Sequence, residues 1–371
     1  MDDLSLEDIV RKLSDLEVAL YLCLVAREHC LIETTRDGVH DLAKELALIC
    51  SNTFDLSYSI LDCSATTSIG DIQHEILTAD ARKSQERPSY FRLKTESSSN
   101  LSLGMTPRDR SKSPIPSPLP TDINAVNVVI AKDFNLVDDD VQGQVLQLMR
   151  TKKLVTESGF LNAPGDFLFI ALVTKESDQL RPPLKLHLNE QLLISHYHDP
   201  SGGYLYLEEN EYFSDSQLSA CSVIHTPKTF EKNRAKIDHL AINKLREASS
   251  SVTTSAEVVR YIQDIVVFLR LSRAVAGGGF CEGEERFRSI FQVSFDQRCR
   301  YLAPLHGIDY LTPSIVALAA RKVFRHRIIV ANPEDDRSLQ YGSGLRAVSS
   351  ILIDVTPDSI LDGVLALEPP I

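Results

Sequence analysis

Two short apolar runs constrain this chain more than anything else in it: residues 126–131, broken only by Asn127, and residues 167–173, which read FLFIALV. Runs of this length between polar residues suit strands covered on both faces, as in a parallel sheet packed between helices. Parallel strands need crossovers, and helical patterns stand between the strand candidates. Residues 13–27 place Leu16, Ala19, Leu20, Cys23 and Leu24 on one helical face. CLIE at 30–33 reads as a strand, TTRDGVHD as a polar turn, and 41–50 as a helix. A strand is expected at 56–62 and a short helix at 70–77. Asp138, Asp139 and Asp140 precede a helix running through Arg150, where carboxylates complement the helix N-terminus. KLVTESGFLNAPGDF is hairpin-like, 184–194 mixes apolar and polar residues, and 204–224 reads as an acidic insertion with β character.

From about residue 228 the pattern turns helical, with helices expected at 229–248, 255–276, 284–305 and 312–323. The second carries Val258, Ile262, Ile265, Val266 and Leu269 on one face, and the fourth opens with Thr312-Pro313, the ring at the first helical position. Gly277, Gly278 and Gly279 form a helix stop or hinge; no strand precedes them, so they are not a phosphate loop. The final stretch from 349 is expected to hold a strand and a short helix. Residues 84–123 are rich in Ser and Pro and poor in apolar residues, so burial cannot offset their ordering entropy and disorder is expected. Thr106-Pro107, Ser113-Pro114 and Ser117-Pro118 there are candidate acceptors for proline-directed phosphorylation. The expected organisation is an α/β core from 1–83 and 124–227, interrupted by the 84–123 insertion and followed by a helical lid from 228–371.

At 371 residues and 43% apolar composition there is material for such a core and an attachment. A net charge of -12 argues against bulk electrostatic attraction to nucleic acid or an anionic membrane. The seven cysteines form no CxxC pair and read as small buried residues in a reducing compartment. The acidic, amphipathic N-terminus has no signal-peptide core, and the apolar runs are too short to span a bilayer. The expectation is a soluble intracellular protein, cytoplasmic or nuclear, partnered by another protein or by copies of itself, without nucleic acid or membrane.

Local motifs sharpen the fold. NVVIAKDFNLVDDDVQGQVLQLMRTKKLV (127–155) resembles the Walker B strand and following helix of the MoxR and magnesium-chelatase I-subunit branch of AAA+ ATPases, including the spacing of Asn135 to Gln142. GDFLFIALV resembles the next strand, which carries sensor 1, and SAEVVRYIQDIVVFLRLSR and LAPLHGIDYLTPSIVALAARKVFRHRI resemble the lid. The likeness is strongest to fungal proteins labelled magnesium chelatase. It implies a three-layer AAA+ P-loop-type core with a mainly parallel sheet, plus a C-terminal helical lid. It also implies a site for ATP and Mg²⁺.

The residues that such a site requires are replaced. The loop aligned with the P-loop, ETTRDGVH at 33–40, keeps only Gly38; Glu33 stands at the first Gly, Val39 at the Lys and His40 at the hydroxyl. A P-loop wraps phosphate with backbone N–H groups and a lysine, and a carboxylate at its mouth is repulsive. The Walker B pair reads Lys132-Asp133, so the metal-holding carboxylate has become a cation. Lys132 could meet phosphate from the opposite wall without metal; the competing reading pairs it with a nearby carboxylate such as Asp133 or Glu33. Sensor 1 aligns with Thr174, the trans-acting arginine with Glu190, and sensor 2 with Ile290, close to Arg286 and Arg288. The expectation is a degenerate, non-hydrolysing module serving as scaffold or protein-interaction domain, with no metal and no cofactor. The alternative is an ATP-dependent enzyme of the magnesium-chelatase or MoxR type, with ATP and Mg²⁺.

Other constellations point to structure. His196-Tyr197-His198-Asp199 could set two imidazoles on one strand face, but Asp199 falls on the other and zinc lacks a third ligand. There is no G-x-S-x-G nucleophile elbow. Arg321, Lys322, Arg325, His326 and Arg327 form a basic helix end, read as a lid terminus in preference to a nucleic-acid patch.

Overall fold

The computed structural model describes residues 10–77, 123–156, 159–175, 184–211, 236–276 and 295–366. The Ser/Pro-rich segment up to residue 122 with its candidate phosphoacceptors, Gly277–Gly279, Arg286, Arg288 and Ile290 lie outside the described residues. So do Cys221 and Cys281; the other five cysteines are buried free thiols.

Five strands form a parallel sheet: β1 (His29–Thr34), β2 (Tyr58–Asp62), β4 (Val128–Lys132), β7 (Leu168–Thr174) and β8 (Leu192–Tyr197). Their spatial order is β2-β4-β7-β1-β8. A smaller sheet joins β3 (Ile123–Asn124), β6 (Gly159–Asn162) and β5 (Lys153–Thr156), the last two forming the antiparallel hairpin that the sequence suggested.

Strand periodicity builds the layers. Cys30, Ile32, Val128, Ile130, Leu168, Ile170 and Leu172 enter one apolar cluster; the alternate residues Leu31, Val129, Ala131, Phe169, Ala171 and Val173 enter another. Successive side chains point to opposite faces, so a strand that is apolar at every position requires cover on both. The first cluster is roofed by α1 (Asp15–Ala26) and α2 (Val39–Asn52), the second by α3 (Ile69–Ile76) and α4 (Asp139–Thr151). A short α5 (Leu186–Gln191) leads into β8, and α6 (Leu205–Glu211) follows it.

The C-terminal part is helical. It comprises α7 (His239–Ser251), α8 (Ala256–Leu271), a helical turn at 295–302, α9 (Pro313–Phe324), α10 (Leu345–Leu352) and α11 (Pro357–Leu365). Helix α9 begins as expected: Thr312 Oγ1 accepts the Ile315 N–H and Pro313 occupies the first turn. Residues of α7, α8, α9 and α11 join the same apolar cluster as α1 and α2, which ties the helical part to one face of the sheet.

Two expectations are corrected, and one stretch left unassigned takes an element. Residues 205–211, expected to be β, are helix α6, because the N–H groups of Tyr206 and Leu207 are capped by the buried carboxylate of Glu45 from α2. The stretch from 349, expected to include a strand, forms two helices. Its ILID alternation reads as β, but the buried residues of α10 are Val348 and Leu352, one helical turn apart, while Ile351 and Ile353 are exposed. The mixed 184–194 stretch is a helical turn followed by a strand.

Candidate functional site

The carboxyl ends of β1, β4 and β7 converge, which is where open α/β sheets carry ligands. They bring together Glu33 and Thr34, Lys132 and Asp133, and Thr174. Asp133, in the left-handed region at φ 51°, turns the chain out of β4. The Thr174 hydroxyl donates to Asp133 Oδ1 at 2.8 Å, so the two residues that the sequence reading expected at sensor 1 and Walker B are in direct contact.

Lys132 is 8% exposed, and its ammonium does not pair with Asp133 or Glu33. It bonds to Asp62, at the end of the neighbouring β2, and lies 3.3 Å from His40 Nδ1 in the first turn of α2. The parallel register sets Asp62 beside Lys132. Burial, then the ammonium groups of Lys44 and Lys132, lower the His40 pKa, which keeps the ring a neutral neighbour for Lys132.

The loop aligned with the P-loop is tight. Glu33 and Thr34 remain strand residues, and the chain makes one 3-10 turn at Arg36–Gly38 before α2 starts at Val39. Glu33 is buried, which raises its carboxyl pKa, opposed by Arg325 and then Lys175. Arg325, just beyond α9, reaches Glu33 at 3.6 Å and Asp358 of α11 at 3.4 Å. The carboxylate at the position of the first glycine therefore has a structural partner from the helical part.

A segment beyond β8 closes over this loop. Asp199 accepts the Ser201 N–H at 3.0 Å and opens a turn at Pro200–Gly202. The Tyr204 hydroxyl then donates to the Gly38 carbonyl at 3.2 Å. A Cβ placed on Gly38 would stand 2.7 Å from Pro200 Cγ, 2.8 Å from the Tyr204 hydroxyl and 3.0 Å from Thr34 Oγ1. Two buried carboxylates anchor the strap one turn further on. Glu45 accepts the Tyr206 and Leu207 N–H groups at 2.9–3.1 Å, and Glu17 accepts the hydroxyls of Tyr206 and, at 2.8 Å, of Thr53. Thr34 Oγ1 and His198 Nε2 lie buried with no hydrogen-bond partner among the described residues.

The remaining sequence candidates disperse. Glu190, aligned with the trans-acting arginine, lies in α5, and its carbonyl accepts from Arg327 at 3.1 Å. His196 is half-buried with its pKa lowered to about 4, first by burial and then by Lys322, while His198 lies beside the Tyr204 ring, centroids 5.2 Å apart. No group of three metal-ligating side chains occurs among the described residues. The basic helix end is consumed internally: Arg321 bonds Asp362, Arg325 bonds Glu33 and Asp358, and Arg327 donates to the Leu192 carbonyl at 2.6 Å. No helix among the described residues is long and apolar enough to cross a membrane.

The strap residues Glu17, Glu45, Pro200, Tyr204 and Tyr206 were not singled out from sequence. One signal was present: Glu45 falls on the Leu42, Leu46, Ile49 face of α2, where a carboxylate needs a buried partner.

No family profile matches the chain, and no curated protein matches it significantly in sequence. Similarity appears at the level of structure. The crystal structure of a candidate ATPase from Cytophaga hutchinsonii superposes with a TM-score of 0.54 at 14% identity, covering 95% of this chain and 93% of that one. The fold is AAA+-like. A full-length MCM homolog from Methanopyrus kandleri aligns with a TM-score of 0.41 at 11% identity; 85% of this chain covers 57% of that protein, too loose a likeness to carry an argument. The AAA+-like comparison agrees with the three-layer core and C-terminal helices seen here.

Proposed function

We propose that this chain is a non-hydrolysing AAA+-like module of the MoxR and magnesium-chelatase type, acting as a scaffold or protein-interaction domain in complex with a partner protein or with copies of itself. The observation that carries the reading is the strap: Pro200 and Tyr204 stand against Gly38, where a P-loop would wrap phosphate.

The residues present do not fit a magnesium-bound triphosphate. Wrapping phosphate requires exposed N–H groups around a glycine-rich turn, and Tyr204 and Pro200 cover the only glycine. The cation at the Walker B position is engaged by Asp62, and Glu33 at the loop mouth is engaged by Arg325. A unit charge of the wrong sign at 4 Å from a phosphate oxygen costs about 4 kcal/mol at an effective dielectric of 20. Glu33 in place of glycine sets such a charge at the loop mouth, and Lys132 in place of the metal-holding carboxylate sets a cation where Mg²⁺ would be held, so both weigh against a magnesium-bound triphosphate. Asp133 is held by the Thr174 hydroxyl and has no metal-holding carboxylate beside it in the motif. The core and helical part share one apolar cluster, which suits a module that works as a rigid body.

The test is a phosphate-release assay together with calorimetric titration of ATP, with and without Mg²⁺, on the full chain. The expected result is turnover at background and no Mg²⁺-tightened binding. Turnover abolished by Asp133→Ala, or micromolar binding tightened by Mg²⁺, would establish the ATP-dependent enzyme reading instead.

A further inference from the structure

At the end of the sheet opposite the strap, three segments enclose a cleft of about 520 Å³: the C-terminal turn of α1, the last turns of α7, and the helical turn at 295–302. That volume lies in the range of small-molecule sites, roughly 300–1,000 Å³. Each wall contributes an arginine: Arg27, Arg246 and Arg300. In a chain of net charge -12, this concentration of cationic groups around one concavity stands out.

The three guanidinium groups are placed differently. Arg246 is fixed: Nε donates to the Val25 carbonyl at 3.0 Å, Nη2 to the Leu24 carbonyl at 3.1 Å and Nη1 to Asn243 Oδ1 at 2.7 Å. It thereby satisfies the carbonyl end of α1, whose partial negative charge would otherwise oppose an anion. Arg300 is half committed, through Nε to Asp296 at 2.9 Å and Nη1 to the Val252 carbonyl at 3.1 Å, which leaves Nη2 uncommitted among the described residues. Arg27, the left-handed cap of α1, makes a loose ion pair with Asp166 at 3.7 Å and is 57% exposed, so its planar fork of donors stays available. The Tyr301 hydroxyl accepts from Gln297 at 3.1 Å, which orients its own O–H to donate elsewhere. Val25 and Ala26 supply apolar wall.

We infer that this cleft binds a small organic anion, a carboxylate or phosphate monoester carried on an apolar body, held by the Arg27 fork, Arg300 Nη2 and the Tyr301 O–H. Against the three arginines stand two carboxylates, Asp296 in the lining and Asp166 at 3.7 Å from Arg27 and 3.9 Å from Arg246, so the cleft keeps an excess cation, and a planar guanidinium fork matches a carboxylate or phosphate edge. The site is separate from the strap and does not depend on whether the AAA+-like site hydrolyses nucleotide.

The experiment is thermal-shift and calorimetric titration of the full chain with benzoate, phenyl phosphate, inorganic phosphate and the uncharged benzyl alcohol. One or both aromatic anions should bind saturably, and benzyl alcohol at least about tenfold more weakly, since a charge-assisted bond is worth about a factor of ten or more. Benzoate against phenyl phosphate decides which headgroup is preferred, and inorganic phosphate shows whether the apolar body contributes. Arg27→Gln, at an exposed side chain that leaves the fold intact, should weaken the favoured anion at least about tenfold with the unliganded melting temperature unchanged. Tyr204→Phe should leave binding unaltered. No saturable binding at millimolar concentration, equal binding of benzyl alcohol, or binding indifferent to Arg27→Gln overturns the assignment.

Discussion

Replacing Gly38 by alanine measures how firmly the strap is built into the fold. Gly38 has φ -87° and ψ -12°, a conformation that alanine adopts without strain. In open space the change would stabilise the protein by about 0.4–1 kcal/mol, by restricting the unfolded chain. The space is not open: the new methyl group would meet Pro200 Cγ at 2.7 Å, the Tyr204 hydroxyl at 2.8 Å and Thr34 Oγ1 at 3.0 Å. Overpacking a filled site costs about 1–3 kcal/mol, so the expected net destabilisation is about 1–2 kcal/mol. Urea unfolding followed by circular dichroism reads this directly. The decisive form is a cycle with Pro200→Ala and Tyr204→Phe, which remove the two nearest obstacles. In that background Gly38→Ala should cost little or become stabilising, a coupling of about 1 kcal/mol or more. If Gly38→Ala is neutral in the parent chain, or costs the same in both backgrounds, the strap does not rest on the loop and the reasoning fails.

Three further outcomes follow from the same contacts. Glu45→Ala removes the acceptor of two N–H groups at the start of α6 and should destabilise by about 1–3 kcal/mol, with faster proteolytic cutting near residues 200–211; unchanged cutting would show that the strap is held by something else. Lys132→Met should change stability by less than about 1 kcal/mol, because an apolar side chain of similar length removes a buried ammonium while the partner Asp62, 79% exposed, stays hydrated, and it should not create ATPase activity; a loss of several kcal/mol in a urea melt would contradict this account. His29, whose Nδ1 accepts the Phe169 N–H at 3.0 Å, has its pKa lowered to about 3 by burial and then by Lys152, and burial holds His326 well below the ordinary value. Both stay neutral in the fold while the unfolded chain takes up protons below about 6.5, so their stabilising effect is complete above that pH and is lost as pH falls, for His29 toward 3. Urea melts at pH 7, 6 and 5 should show falling stability, each histidine contributing up to about 1.4 kcal/mol per pH unit; a flat or rising profile would refute this.

The parallel sheet was legible because its central strands are apolar at consecutive positions, and no arrangement but cover on both faces removes that surface from water. The helix beginning at Pro313 was legible because its cap is local: Thr312 and the proline ring act within one turn. Helix α6 was not, because Tyr204 and Tyr206 at its start carry β propensity and its N-terminus is capped by Glu45, far away in the chain. Lys132 does pair with a nearby carboxylate, but the partner was not legible for the same kind of reason. Asp133 and Glu33 looked near in the motif, but the register between β2 and β4 placed Asp62 beside the ammonium instead.

What the sequence determined by itself is the identity of the groups at these positions: a carboxylate at 33, a valine at 39 and an ammonium at 132. Those residues fix which charges the site can offer, whatever surrounds them. Only the tertiary structure decided where those charges are spent, and that Pro200 and Tyr204 come to rest on Gly38. Such contacts join segments more than a hundred residues apart, so they depend on register, packing and a shared buried carboxylate that no local pattern records.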